Sequence, residues 1–249
     1  MTNRHFFRLD FDVDVPGRWY LREPKNLEGQ EVSDIWAFIE GKPVSAPGPL
    51  RIPFSRPGNP LDFDKTTVAG TPVVSARIVA VFREMAPHDV QLFPVKIEGQ
   101  LEPHHILNVA CTVRCIDDAA CEEVQLYTPE DGYPERVGEY HSVSGLRIDK
   151  SKVGDARVFR LWGWHPPIIV DGDIKEALER AGIVGDSSTK SEEVGGTVRC
   201  AHPRERVLTS AHELLPGPAE TWKPARRRHA PAELPGAHPA GRPAPLAEG

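Results

Sequence analysis

The sequence predicts an α+β fold: a mostly antiparallel sheet with a few helices, followed by a disordered C-terminal tail. Three observations carry this. Short runs rich in Val, Ile and aromatic residues recur through residues 1–190, separated by turn signals. Only two segments show helical periodicity. Beyond residue 190 both kinds of periodicity stop.

The run HFFRLDFDV opens as a strand, and Phe11, Val13 and Val15 alternate with Asp10, Asp12 and Asp14. Period two is the signature of a half-buried strand whose acids face water, and Pro16-Gly17 closes it. Alternating aspartates also suggest a calcium loop. Counted from Asp10, however, the sixth place is Val15 where a sharp turn needs Gly, and the twelfth is Leu21 where a bidentate Glu belongs. A loop-rich stretch follows from Pro24 to Pro60, with apolar islands at Trp19-Tyr20-Leu21, Ile35–Ile39 and Leu50-Arg51-Ile52. Trp19, Trp36, Trp162 and Trp164 are assigned to the core, because Trp is highly buried on average.

TPVVSARIVAVFREMAP places Val74, Ile78, Val81 and Met85 on one helical face, with Thr71 as cap, Pro72 in the first turn and Pro87 as the stop. VQLFPVKIEG, HHILNVACTVRCID and EEVQLY read as strands, TPEDGYPERVG as a turn region, and GLRID, ARVFRLWGW and PPIIV as three further short strands. DGDIKEALERAG is the clearest helix. Asp171 or Asp173 can cap it, Ile174, Ala177, Leu178 and Ala181 form its stripe, and Gly182 ends it.

Two regions result: a folded domain over 1–190 and a tail over 191–249. The tail holds nine Pro, six Gly and ten Ala in 59 residues, too few large apolar side chains to offset the entropy of ordering it. Arg226-Arg227-Arg228 within it reads as a solvated charge run. The tail is close to neutral, so the acidity belongs to residues 1–190, where 22 Lys and Arg face 29 Asp and Glu, net −7. That balance argues against direct nucleic-acid binding, which needs a basic surface. The N-terminus lacks the apolar core of a signal peptide, and no stretch approaches eighteen apolar residues, so a cytoplasmic, membrane-free protein with reduced thiols is expected.

Candidate chemistry is sparse. His104, His105, Cys111 and Cys115 lie within twelve residues, but on a strand the two His point to opposite faces, no CxxC is present, and buried thiols are the simpler reading. A hydrolase using His104, His105 and Asp117, with or without a metal, remains an alternative, as does a regulatory scaffold. No GxSxG, P-loop, GxGxxG or HExxH occurs, which favours a binding protein with no metal or cofactor.

PGRWYL, DIWAF, PLDFD, VQLFPVKIEGQ, ILNVACTVRCIDDAACEEV, TPEDGYPERVGEY, GLRIDKSKVGDARVFRLWGW and IIVDGDIKEALERAGIVG, in that order, resemble the immunity proteins of bacterial polymorphic toxin systems best populated in myxobacteria, immunity family eleven. The resemblance covers roughly residues 5–186. It implies a cytosolic antidote that binds a cognate toxin domain delivered between cells, with no catalytic residues. A member would also continue after GIVG into an aromatic strand of the G-x-x-F kind, whereas GDSSTKSEEVGG has no aromatic residue. If the toxin is a basic nuclease, acids can steer its approach. The candidate contacts are Asp10, Asp12, Asp14, Asp117, Asp118, Glu122, Glu123, Glu130 and Asp131.

Overall fold

Strand formation follows the β-branched and aromatic runs. The computed structural model describes residues 4–12, 14–183 and 194; the expected tail, apart from Val194, and the expected aromatic strand lie outside them. Among the described residues fourteen strands are present in chain order: β1 (Phe6–Leu9), β2 (Tyr20–Leu21), β3 (Lys25–Asn26), β4 (Leu50–Ile52), β5 (Phe54–Arg56), β6 (Phe63–Lys65), β7 (Pro72–Ser75), β8 (Val90–Ile97), β9 (His104–Val109), β10 (Thr112–Val113), β11 (Glu123–Leu126), β12 (Tyr140–Ser144), β13 (Val158–Leu161) and β14 (Trp164–Asp171). Two α-helices, α1 (Ala76–Met85) and α2 (Gly172–Arg180), complete the α+β fold.

A six-stranded sheet runs β3-β4-β8-β9-β7-β6 and a four-stranded sheet runs β1-β14-β13-β10; β2-β5 and β11-β12 form separate ladders. Pairing is antiparallel except for β4 with β8 and β10 with β13. Strand β9 lies inside the larger sheet, between β8 and β7, so all six of its residues are buried. Its alternation sorts them: Ile106 faces a cluster with Trp19, Leu21 and Phe38, while Leu107 and Val109 face the opposite side. That opposite side is the central core. There Val158, Ile168 and Val170 of the smaller sheet meet Ile78 and Phe82 of α1 and Ile174 and Leu178 of α2. The smaller sheet's other face buries Phe6, Phe159, Leu161 and Ile169. Burying each such side chain contributes about 1.5–3 kcal/mol before the opposing entropy.

The structure corrects several local expectations. The first helix begins at Ala76, and Pro72–Ser75 is strand β7. A strand sends Val73 and Val74 to opposite faces, and both faces of the sheet offer apolar partners. Strand β1 ends at Leu9, so Asp10, Asp12 and Asp14 do not line the outer face of a strand. GLRID provides only an isolated bridge from Ile148 to Ile116. Trp36 is 48% exposed rather than core, while Trp19 is fully buried.

The second helix starts where its sequence indicates. Asp171 accepts from Ile174 N at 3.0 Å, which satisfies one of the helix's unpaired donors. Its other oxygen receives Arg157 Nε at 2.6 Å, tying β13 to β14. Val194 is buried among the residues beneath the smaller sheet, donates its backbone N–H to Phe6 O at 3.0 Å and accepts from Ile148 N at 2.7 Å.

Candidate functional site

The nine acids proposed from sequence fall into two groups. Asp10 lies where β1 ends, half-buried and paired with Arg8 Nη2 at 2.6 Å and Lys65 Nζ at 2.9 Å. Burial pushes its carboxyl up, but Lys65 and Arg8 more than reverse this, leaving it below the usual carboxylate value. Asp12 accepts from Asp14 N at 2.9 Å, a local turn. Arg18, bonded to Asp64 at 2.9 Å, sits over the Phe11 ring close by. Asp10 is therefore held between two cations.

The other six acids belong to an arm. Strands β11 and β12 pair from Glu123↔Ser144 to Leu126↔Tyr140, and residues 127–139 close the end. Asp117, Asp118 and Glu122 sit at its base, Glu123 opens its first strand, and Glu130 and Asp131 lie in the closing loop. The base is fastened by Tyr140, whose O–H donates to Asp118 at 2.8 Å and whose N–H donates to Gly163 O at 3.1 Å. Burial, and then the Asp118 carboxylate, push the Tyr140 phenol up to about 12, so it stays a donor. Gly145 turns the chain out of β12 at φ +56°, and a Cβ there would fall 2.3 Å from Glu122 Cγ.

The closing loop is held by its own side chains. Thr128 N donates to Asp131 at 2.7 Å and the Thr128 hydroxyl to the same carboxylate at 2.9 Å; these bonds hold Asp131 low among carboxylates. Arg136 lies over the Tyr127 ring at 4.2 Å, donates to its hydroxyl at 2.8 Å and reaches Glu139 at 3.1 Å. Tyr127 in turn meets Tyr133 and His141 edge-on, with centroids 5.8 Å and 4.8 Å apart. Around this ordered cluster Leu126, Tyr133 and Val137 are 44%, 53% and 46% exposed.

Charge is distributed unevenly. Residues 117–139 contain eight acids and one base, Arg136, net −7. That equals the net charge of residues 1–190, so the remainder of that region is balanced at 21 against 21. Sequence reasoning found six of the arm's acids but missed Glu135, Glu139 and the apolar trio. A charge count by window would have found the first, and large apolar residues within a turn-rich segment would have signalled the second.

The hydrolase alternative gains no geometric support. His104 Nδ1 is 3.0 Å from Glu102 O and its ring packs on Trp19, while His105 faces the other side of β9. Asp117 stabilises its own turn: its carboxylate accepts from Ala120 N at 3.3 Å and its backbone carbonyl from Ala120 and Cys121 N–H groups. Among the described residues no three His, Cys, Asp or Glu side chains are grouped to hold a metal ion. Burial raises the Cys111, Cys115 and Cys121 thiols, Cys115 to about 12, the opposite of what a nucleophile needs. A cleft of ≈ 660 Å³ beside α2 is lined by Arg4, Arg157, Asp171 and Asp173, but these pair with one another. No described helix is long and apolar enough to cross a membrane.

The class so defined is an α+β protein whose distinctive feature is an ordered acidic arm with exposed apolar side chains. A family model described as Immunity protein family (Imm11) matches residues 5–192. The chain belongs to that family, and membership implies a cognate toxin as partner. No curated protein matches the sequence.

Proposed function

We propose that the protein is a cytoplasmic, non-catalytic antidote that binds a toxin domain of a polymorphic toxin system and blocks it by occlusion. The observation that carries this reading is the family match across residues 5–192. Two features support it. The arm combines exposed Tyr, Leu and Val with a dense negative field, a mixture suited to protein recognition. The field also suits a basic partner, such as a nuclease domain that handles polyanions, and would accelerate its capture. Of the acids read from sequence, Asp117, Asp118, Glu122, Glu123, Glu130 and Asp131 form the primary contact set. Asp10, Asp12 and Asp14 form a secondary one.

Co-expression with the neighbouring open reading frame tests the reading. That product should arrest growth alone and be harmless beside this protein. A product that is harmless alone, or still toxic in its company, refutes the reading.

A further inference from the structure

We propose that the β11–β12 arm is the docking element, and that the toxin face it meets is an apolar pocket with a basic rim. The inference rests on the antidote reading and adds the face and its chemistry.

The apolar part of the argument comes first. Leu126, Tyr133 and Val137 are three of the seven large apolar residues exposed among those described, and they fall within twelve residues of one loop and strand end. By contrast, Leu101 stands by itself in the turn between β8 and β9. Among the described residues the β11–β12 ladder pairs with no third strand, and apart from Tyr140 its residues are exposed or half-exposed. A ladder this open would be expected to wander, yet the loop is fixed at three points. These are the Thr128–Asp131 capping box, Pro129 and Pro134 at the starts of two 3-10 turns, and the Tyr127–Arg136–Glu139 cluster. Side chains already ordered lose less entropy on binding, which favours Tyr133 as an anchor.

Charge complementarity then selects the occupant. Residues 117–139 carry eight acids and one base, Arg136, and Arg136 is engaged with Tyr127 and Glu139. Glu130 and Glu135 are exposed in the same loop. A polyanion would be repelled, and the absence of a three-ligand cluster among the described residues leaves a cation no built site. A protein face with Lys and Arg around a pocket for Tyr133 fits both halves of the surface.

The test uses the full chain and the purified toxin domain encoded beside it. Three variants are compared with wild type: Tyr133→Ala with Val137→Ser, Glu130→Lys with Glu135→Lys, and Glu28→Lys as a control outside the arm and outside both contact sets. Circular dichroism and melting temperature confirm folding; all five positions are exposed, so the fold should persist. The apolar pair should weaken Kd by about tenfold or more, mainly through faster dissociation. The charge pair should slow association by about tenfold at low salt, with the difference closing at high salt. Glu28→Lys should stay within about twofold of wild type, as expected for an exposed surface charge away from the contact sets. If wild type binds and protects while both arm variants bind within twofold of it, the arm inference is overturned and the antidote reading stands. If wild type neither binds nor protects, the antidote reading falls and takes the arm with it.

Discussion

Asp171 is the residue at which loss of a single carboxylate should be felt in three elements at once. Its Oδ1 caps α2 through Ile174 N, its Oδ2 receives Arg157 Nε, just before β13, and Arg4, just before β1, approaches it at 3.5 Å. The side chain is buried, and Arg157 is partly open to solvent. Asp171→Asn keeps an amide oxygen for the cap, since Asn caps a helix about as well as Asp, but removes the charge facing two guanidinium groups. A charge-assisted hydrogen bond contributes about 1.5–3 kcal/mol, and the partial exposure of Arg157 places this pair near the lower half, about 2 kcal/mol. Asp171→Ala also loses the cap, a further ~1 kcal/mol, for about 3 kcal/mol in all. For a domain of this size these become falls in Tm of about 6 and 9 °C. Urea unfolding followed by far-UV circular dichroism gives the free energies, with an unchanged slope confirming that only stability has moved. An Asn variant as stable as wild type would refute the assigned ion pair. An Ala variant no weaker than the Asn variant would refute the cap.

Three further outcomes are expected. Burial, aided by Arg83 and His104, lowers the His105 pKa from its usual 6.5, and burial also lowers His165. A His with a lowered folded pKa supplies stability that is present above 6.5 and lost as pH falls through the folded value. The urea midpoint should therefore decline on acidification from pH 7.5 to 5, and His105→Gln should flatten that decline; an equal slope in the variant would refute the assignment. Chains ending at residue 190 and at residue 200 should differ in Tm by about 2–4 °C, because only the longer retains buried Val194, worth about 1–2 kcal/mol after its ordering cost; equal Tm values would show that Val194 contributes nothing. Cys115, with its thiol raised to about 12 by burial and by Asp149, should resist an aromatic disulfide reagent at pH 8 until the protein unfolds, and stoichiometric labelling of that residue in the native state would contradict this.

Legibility in the sequence tracked how local the physics was. The second helix could be read to its cap because Asp171, the Ile174–Leu178 stripe and Gly182 all act within a few residues of one another. Strand β9 was evident from Ile106, Leu107 and Val109, although its buried His104, His105 and Asn108 are polar. Strand β12 was missed because YHSVS is exposed over much of its length, and alternation marks a strand only where one face is dry. In the candidate site, the acids of the arm were visible one by one. Their grouping with Leu126, Tyr133 and Val137 was not, since it depends on β12 returning beside β11.

By itself, then, the sequence determined the α+β class, the second helix with its cap, the family and the concentration of acid between residues 117 and 139. Tertiary structure decided three further matters. Val73 and Val74 became strand because the sheet offered an apolar partner on each face, something a helix face could not use. The Asp10–Asp14 run lost its strand, and Asp10 gained Lys65, a residue of β6 far along the chain. The acids between residues 117 and 139 were gathered with Leu126, Tyr133 and Val137 onto one arm, because β12 returns antiparallel beside β11.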